Sequence, residues 1–154
     1  MGTSTNAMLA YGYDLGSADG WKIREAGEFS EPILDWYDED SDDGFIEQAE
    51  ARLLAAHGLT GTWEDDGYYD RKEEAQARAG VEFDSYCHSE YPMWLLATKV
   101  ITVHRGDSEV LDLPALMAET AENGWDDKLR QACEVLGITP KQERPGWVLV
   151  SYWG

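Results

Sequence analysis

The stretch Tyr91–Arg105, YPMWLLATKVITVHR, decides how this chain is read. It is the longest segment almost free of charge before its end, and its alternating side-chain sets, Met93/Leu95/Ala97 and Trp94/Leu96/Val100, are both apolar. A strand with two apolar faces needs cover on both sides. Tyr91–Arg105 is therefore expected to be the central strand, and the remaining elements should supply its neighbours and its covering layers.

Working outward, Val81–Cys87 alternates Val81, Phe83, Ser85 and Cys87 with Glu82, Asp84 and Tyr86, a half-buried strand that His88–Glu90 turns into an antiparallel hairpin with the central one. Pro92 is tolerated near a strand start. Trp147–Trp153, WVLVSYW, is apolar on both faces and is expected to dock inside the sheet beside the central strand. At the other end, Met8–Tyr13 reads as a strand, Asp14–Gly20 as its turn and Trp21–Arg24 as the returning strand. Residues 1–7 read as a flexible leader, without the basic and apolar regions of a secretory signal.

Four helices fit between these strands. Phe45–His57 places Phe45, Ile46, Ala49, Leu53 and Ala56 on one face, with Asp42 or Asp43 as cap. Tyr68–Ala79 has Asp65 or Asp66 as cap and a thin line of Tyr68, Lys72, Ala75 and Ala79. Pro114–Ala121 opens on a proline suited to a first helical position. Gly124–Leu136 carries a stripe of Trp125, Leu129, Ala132, Cys133 and Leu136, with Asn123 as cap. Three helices end before a Gly-aliphatic pair (Gly58-Leu59, Gly80-Val81, Gly137-Ile138), the signature of a Schellman-type stop. The fold class is thus α+β: a mixed, mainly antiparallel sheet of about five strands with three to four helices packed on one face. At 154 residues, positions 8–154 fit a single acidic domain.

Charge is the functional clue. The formal net charge is -19, of which residues 1–50 carry -11 and residues 91–154 only -3. Between Arg24 and Arg52 there are eleven acids and no base. Such a field repels nucleic acid and anionic membrane and attracts basic protein surfaces or cations. The acids that can form one binding face are Asp35, Asp38, Glu39, Asp40, Asp42, Asp43, Glu47 and Glu50, extended by Asp65, Asp66, Asp70 and Glu73. Ile33–Tyr37 contains Ile33, Leu34, Trp36 and Tyr37, which should pin this run to the fold as a short strand or turn rather than leave it a solvated tail.

Held carboxylates can imitate DNA phosphates and occupy a basic groove, because phosphate spacing is fixed at a few ångströms per step. In composition and size the chain resembles the DNA-mimic proteins of phages and mobile elements, such as antirestriction proteins and some CRISPR inhibitors. That resemblance implies a non-enzymatic, inhibitory module whose partner is a nucleic-acid-binding protein.

Two further patterns in the sequence bear on chemistry. Glu39-x-Ser41-x-Asp43-Gly44-x-Ile46-x-x-x-Glu50 follows the spacing of an EF-hand calcium loop, but has Glu39 where the loop needs Asp, and Pro32 weakens an entering helix. Asp14 and Asp19, beside a strand end and Trp21, could frame a cleft for a carboxylate-based enzyme, but a hairpin turn is the better reading of the pair. His57, His88 and His104 are scattered, and Cys87 and Cys133 have no metal-ligand spacing, so no catalytic residue, metal or cofactor is assigned. The two cysteines read as reduced thiols of a cytoplasmic protein. Without an 18-residue apolar run, no membrane span is expected. The chain should be a monomer, or a homodimer through its nearly neutral C-terminal half.

Overall fold

The computed structural model describes residues 5–153. Five strands and four helices follow the order β1 (Thr5–Ser17), β2 (Gly20–Trp21), α1 (Phe45–Ala56), α2 (Tyr68–Ala79), β3 (Glu82–His88), β4 (Tyr91–Val103), α3 (Leu113–Glu122), α4 (Trp125–Leu136) and β5 (Gly146–Trp153). All strand pairings are antiparallel, which makes this the expected α+β architecture. No helix among the described residues is long and apolar enough to cross a membrane.

β4 is paired on both edges, by β3 and by β1. The strand with most partners, however, is β1, which pairs β4 along one edge and both β5 and β2 along the other. β5 was expected beside Tyr91–Arg105 and lies instead beside β1, in register from Thr5↔Trp153 to Gly12↔Gly146. The reason is occupancy, since β4 has both of its edges taken by β1 and β3, whereas β1, of the same 13-residue length, keeps a second edge open for β5. Thr5–Ala7, read from sequence as part of a leader, already belong to β1, while residues 1–4 lie outside the described residues.

The first turn is also later than the sequence suggests. Asp14 does not open it. A register shift between Asp14 and Gly16 lets the strand continue, Gly16 taking φ +76° and the Asp14 carboxylate accepting the Gly16 N–H at 3.1 Å. The chain reverses only at Ala18-Asp19, and the returning strand shrinks to Gly20–Trp21 plus a bridge from Ile23 to Pro140.

The sheet curls so that its edge strands β3 and β5 approach each other, giving a half-barrel. Its two faces have different cores. The helix side packs Tyr11, Tyr13 and Leu15 of β1 and Leu96 of β4 against Phe45, Ile46, Leu53, Trp125, Leu129 and Leu136. Inside the curl sits a smaller cluster of Met8, Ala10, Tyr86, Leu95 and Ala97, flanked by Val148 and Val150. Tyr11 ties sheet to helix layer: its ring meets Trp125 and Trp147, and its hydroxyl donates to Asp126 in the first turn of α4. Burial and that carboxylate push its pKa up to about 12.

Helix ends follow local chemistry, with some changes of residue. Leu59 N–H reaches Leu54 O and Ile138 N–H reaches Cys133 O, the six-to-one bonds of Schellman stops. At the starts, the expected side-chain caps give way to Gly44, Gly67 and Gly124. Gly67 and Gly124 are left-handed, a conformation in which an Asp or Asn is strained more than glycine. Asn123 instead closes α3, and Asp112 caps it by accepting from Ala115 N–H at 3.1 Å.

At Gly12, β1 and β4 approach too closely for a side chain. A Cβ there would lie 1.9 Å from Leu96 O, opposite the point where Thr98 is bulged out of the β4 ladder. Gly12→Ala should therefore push apart the two most extensively paired strands, costing about 3 kcal/mol. Thermal melting should show Tm lower by about 6–12 °C, whereas an unchanged Tm would mean that this approach is not tight.

Candidate functional site

The acidic run between β2 and α1 lacks helix and strand, yet it is tied down at three points. Near its start, Ala26 and Pro32 form a bridge and Ile33 N–H donates to Glu25 O at 2.8 Å. In the middle, the Trp36 indole N–H donates to Leu136 O, the last carbonyl of α4, at 2.7 Å. The Trp36 ring stacks on Phe45 at 5.7 Å and 13°, the Arg52 guanidinium lies over it, and Tyr37 meets Phe45 edge-on. The pinning expected of Ile33–Tyr37 thus resides in Leu34, Trp36 and Tyr37, with Ile33 itself 64% exposed and no strand formed.

The third tie comes from Gln48, which sequence reading missed. Its Oε1 accepts the Asp38 N–H at 3.0 Å, while its Nε2 donates to Asp38 O at 2.8 Å and Asp43 O at 2.7 Å. One amide side chain therefore clamps both ends of the loop Asp38–Asp43. Inside the clamp, Asp38 accepts from Asp40 N–H and Ser41 Oγ accepts from Asp43 N–H. The available signal was a glutamine in the first turns of a helix that follows an uncapped polar loop, a near relative of the capping box.

Asp35, Asp38, Glu39, Asp40, Asp42, Asp43 and Glu47 are all exposed, and none is in an ion pair among the described residues. The remaining five predicted acids divide. Glu50 is half-buried and spent on Lys72 at 3.1 Å, an ion pair that joins α1 to α2. Asp65 accepts the Thr62 N–H, organising the turn before α2. Asp66 and Asp70 are exposed near the start of α2, and Glu73 borders a hollow shared with Glu82 and Thr98.

At its α1 end the acidic run meets a cleft of about 310 Å³. Its walls come from the β1–β2 turn, the start of α1 and the β3–β4 turn, with Asp19, Glu47 and Glu90 around Trp21, Tyr91 and Trp94. Asp19 and Asp14, paired in sequence reading, are separated here. Asp14 lies on the inner face of the sheet, where it binds Lys22 and accepts from the Tyr86 hydroxyl at 2.9 Å. Among the described residues no group of three or more acids, histidines and cysteines is arranged to hold a metal, and no helix enters the Glu39–Glu50 loop. Cys87 and Cys133 are free thiols, and burial raises the pKa of Cys133 to about 12.

Alternation along β3 puts Glu82 and Asp84 on the same inner face as Asp14, with Leu95 paired between Asp14 and Asp84. Partial burial raises the pKa of both Glu82 and Asp84. Asp84 adds to the shift on Glu82, whereas the Ser85 N–H offsets part of that on Asp84. Comparison with protein-family models, curated proteins and solved structures found no match to this chain.

A carboxyl whose folded pKa is raised favours the fold in its protonated form. That contribution is full below the unfolded value near pH 4 and is lost as pH rises through the folded value. Asp84→Asn should raise Tm by about 2 °C at pH 7 and have a smaller effect at pH 4, and Glu82→Gln, whose side chain is exposed and screened by water, should follow the same pattern with a smaller rise. Equal effects at both pH values would show that the change does not come from charge.

Proposed function

We propose that this chain is a non-enzymatic acidic binding module that engages a basic protein surface through Asp35–Glu47. On this reading its carboxylates stand in for DNA phosphates at the groove of a nucleic-acid-binding protein. One observation carries the proposal: seven exposed carboxylates without ion-pair partners among the described residues sit on a segment clamped by Trp36 and Gln48. Unpaired like charges repel one another and gain nothing for folding, so holding them in place costs stability. A partner cation repays that cost on binding, and the preformed segment loses little entropy when it does.

The free cysteines accord with a reducing cytoplasm as the working compartment. A second reading, a small enzyme with a carboxylate-based site, draws support from the raised pKa values of Glu82 and Asp84 beside Asp14.

The test is affinity capture from a native lysate with the wild type and with the Asp38→Asn/Asp40→Asn/Asp42→Asn/Asp43→Asn variant. Wild type should retain a small set of nucleic-acid-binding proteins that added duplex DNA releases, and the variant should lose them. Retention of the same proteins by the variant, or of basic proteins indiscriminately, would contradict the reading.

A further inference from the structure

We infer that the cleft between the β1–β2 turn, the start of α1 and the β3–β4 turn is an anchor pocket for an arginine side chain of the basic partner. The inference rests on the proposed acidic binding face and assigns that face its point of specificity.

Three separate elements bring Asp19, Glu47 and Glu90 to the cleft, and none of the three is in an ion pair among the described residues. The nearest cation in sequence, Lys22, is engaged with Asp14. The start of α1 also lines the cleft, and its partial positive charge would oppose a cation. Glu47 counters it: a Cβ on Gly44 would lie 2.7 Å from Glu47 Oε2, so this carboxylate folds back over the N-cap residue of the helix. Asp19 and Glu90 then leave the cleft strongly negative.

The rest of the lining selects the kind of cation. Trp21 is buried against Phe45, Trp94 is half-buried, and Tyr91 is 70% exposed at the rim. Aromatic surface beside carboxylates suits a guanidinium, which is planar, weakly hydrated, stacks on rings and bonds carboxylates with two parallel N–H groups. A lysine ammonium is compact and strongly hydrated and gains less from the same walls. A volume of about 310 Å³ is at the small end of ligand pockets and ample for one long side chain.

Position ties the cleft to a protein partner. Gly44 lines it, and the clamped loop Asp38–Asp43 ends immediately before Gly44. A basic surface laid along the loop therefore reaches the cleft without a gap. Flat, solvated carboxylates steer and orient such a partner, while a concave aromatic site supplies the anchor that carries affinity.

The test uses hexa-arginine and hexa-lysine peptides of equal charge, titrated into the whole chain and followed by 1H–15N NMR. Hexa-arginine should bind at least ~10-fold tighter than hexa-lysine and shift the indole signals of Trp21 and Trp94. Glu47→Gln/Glu90→Gln, whose fold is checked by its amide dispersion, should abolish that preference and those shifts. The Asp38→Asn/Asp40→Asn/Asp42→Asn variant should weaken both peptides by a similar factor and keep the preference. Equal binding of the two peptides through Asp38–Asp43 would overturn the anchor pocket and leave the acidic face standing. Binding of neither would overturn both, and a preference that survives Glu47→Gln/Glu90→Gln would place arginine recognition elsewhere.

Discussion

Everything in this molecule hangs on the pairing of β1 along both of its edges. One edge carries β4 and through it β3, while the other carries β5 and β2, so all four other strands reach their places through this strand. Its side chains serve both cores: Met8 and Ala10 fill the inside of the curl, and Tyr11, Tyr13 and Leu15 receive the helices. Gly12 is the constraint within that arrangement, since only its lack of a side chain lets β1 approach Leu96 of β4 so closely.

From this platform the helices hold the acidic run in turn. The sheet seats α1 and α4; α4 presents the Leu136 carbonyl to Trp36, and α1 presents Phe45 and Gln48 to the segment before it. A stretch with neither helix nor strand thereby acquires defined geometry from two side chains and one helix end. Loops positioned by a rigid scaffold are where binding surfaces are commonly built. The charge that makes the stretch unfavourable to fold is also what the proposed basic partner would neutralise.

The sheet was legible wherever a strand carried its own pattern. Tyr91–Val103, Glu82–His88 and Gly146–Trp153 stand close to where their apolar alternation placed them. What the pattern could not convey was partnership. Nothing local in WVLVSYW says whether its neighbour is β4 or β1, because cross-strand pairing is a long-range choice set by which strand edges the other elements leave open. Helix ends showed the same division. The Schellman glycines declared themselves by type and spacing, but the N-terminal caps of α2 and α4 went to Gly67 and Gly124, where a left-handed backbone outweighed the side-chain preference for Asp and Asn. Within the candidate site the acids and the Trp36 anchor were visible. The Gln48 clamp, the use of Glu50 by Lys72 and the cleft at Gly44 were not, since each depends on residues that the fold brings together from separate elements.

Trp36 and Gln48 hold the carboxylates between Asp35 and Asp43 in place in the free chain. Backbone 15N relaxation of the free protein tests this most directly. If Trp36 and Gln48 act as described, order parameters across Asp35–Gly44 will match those of α1 and α4, near ~0.85. Values below ~0.6 through this segment, with rigid helices on either side, would contradict the account.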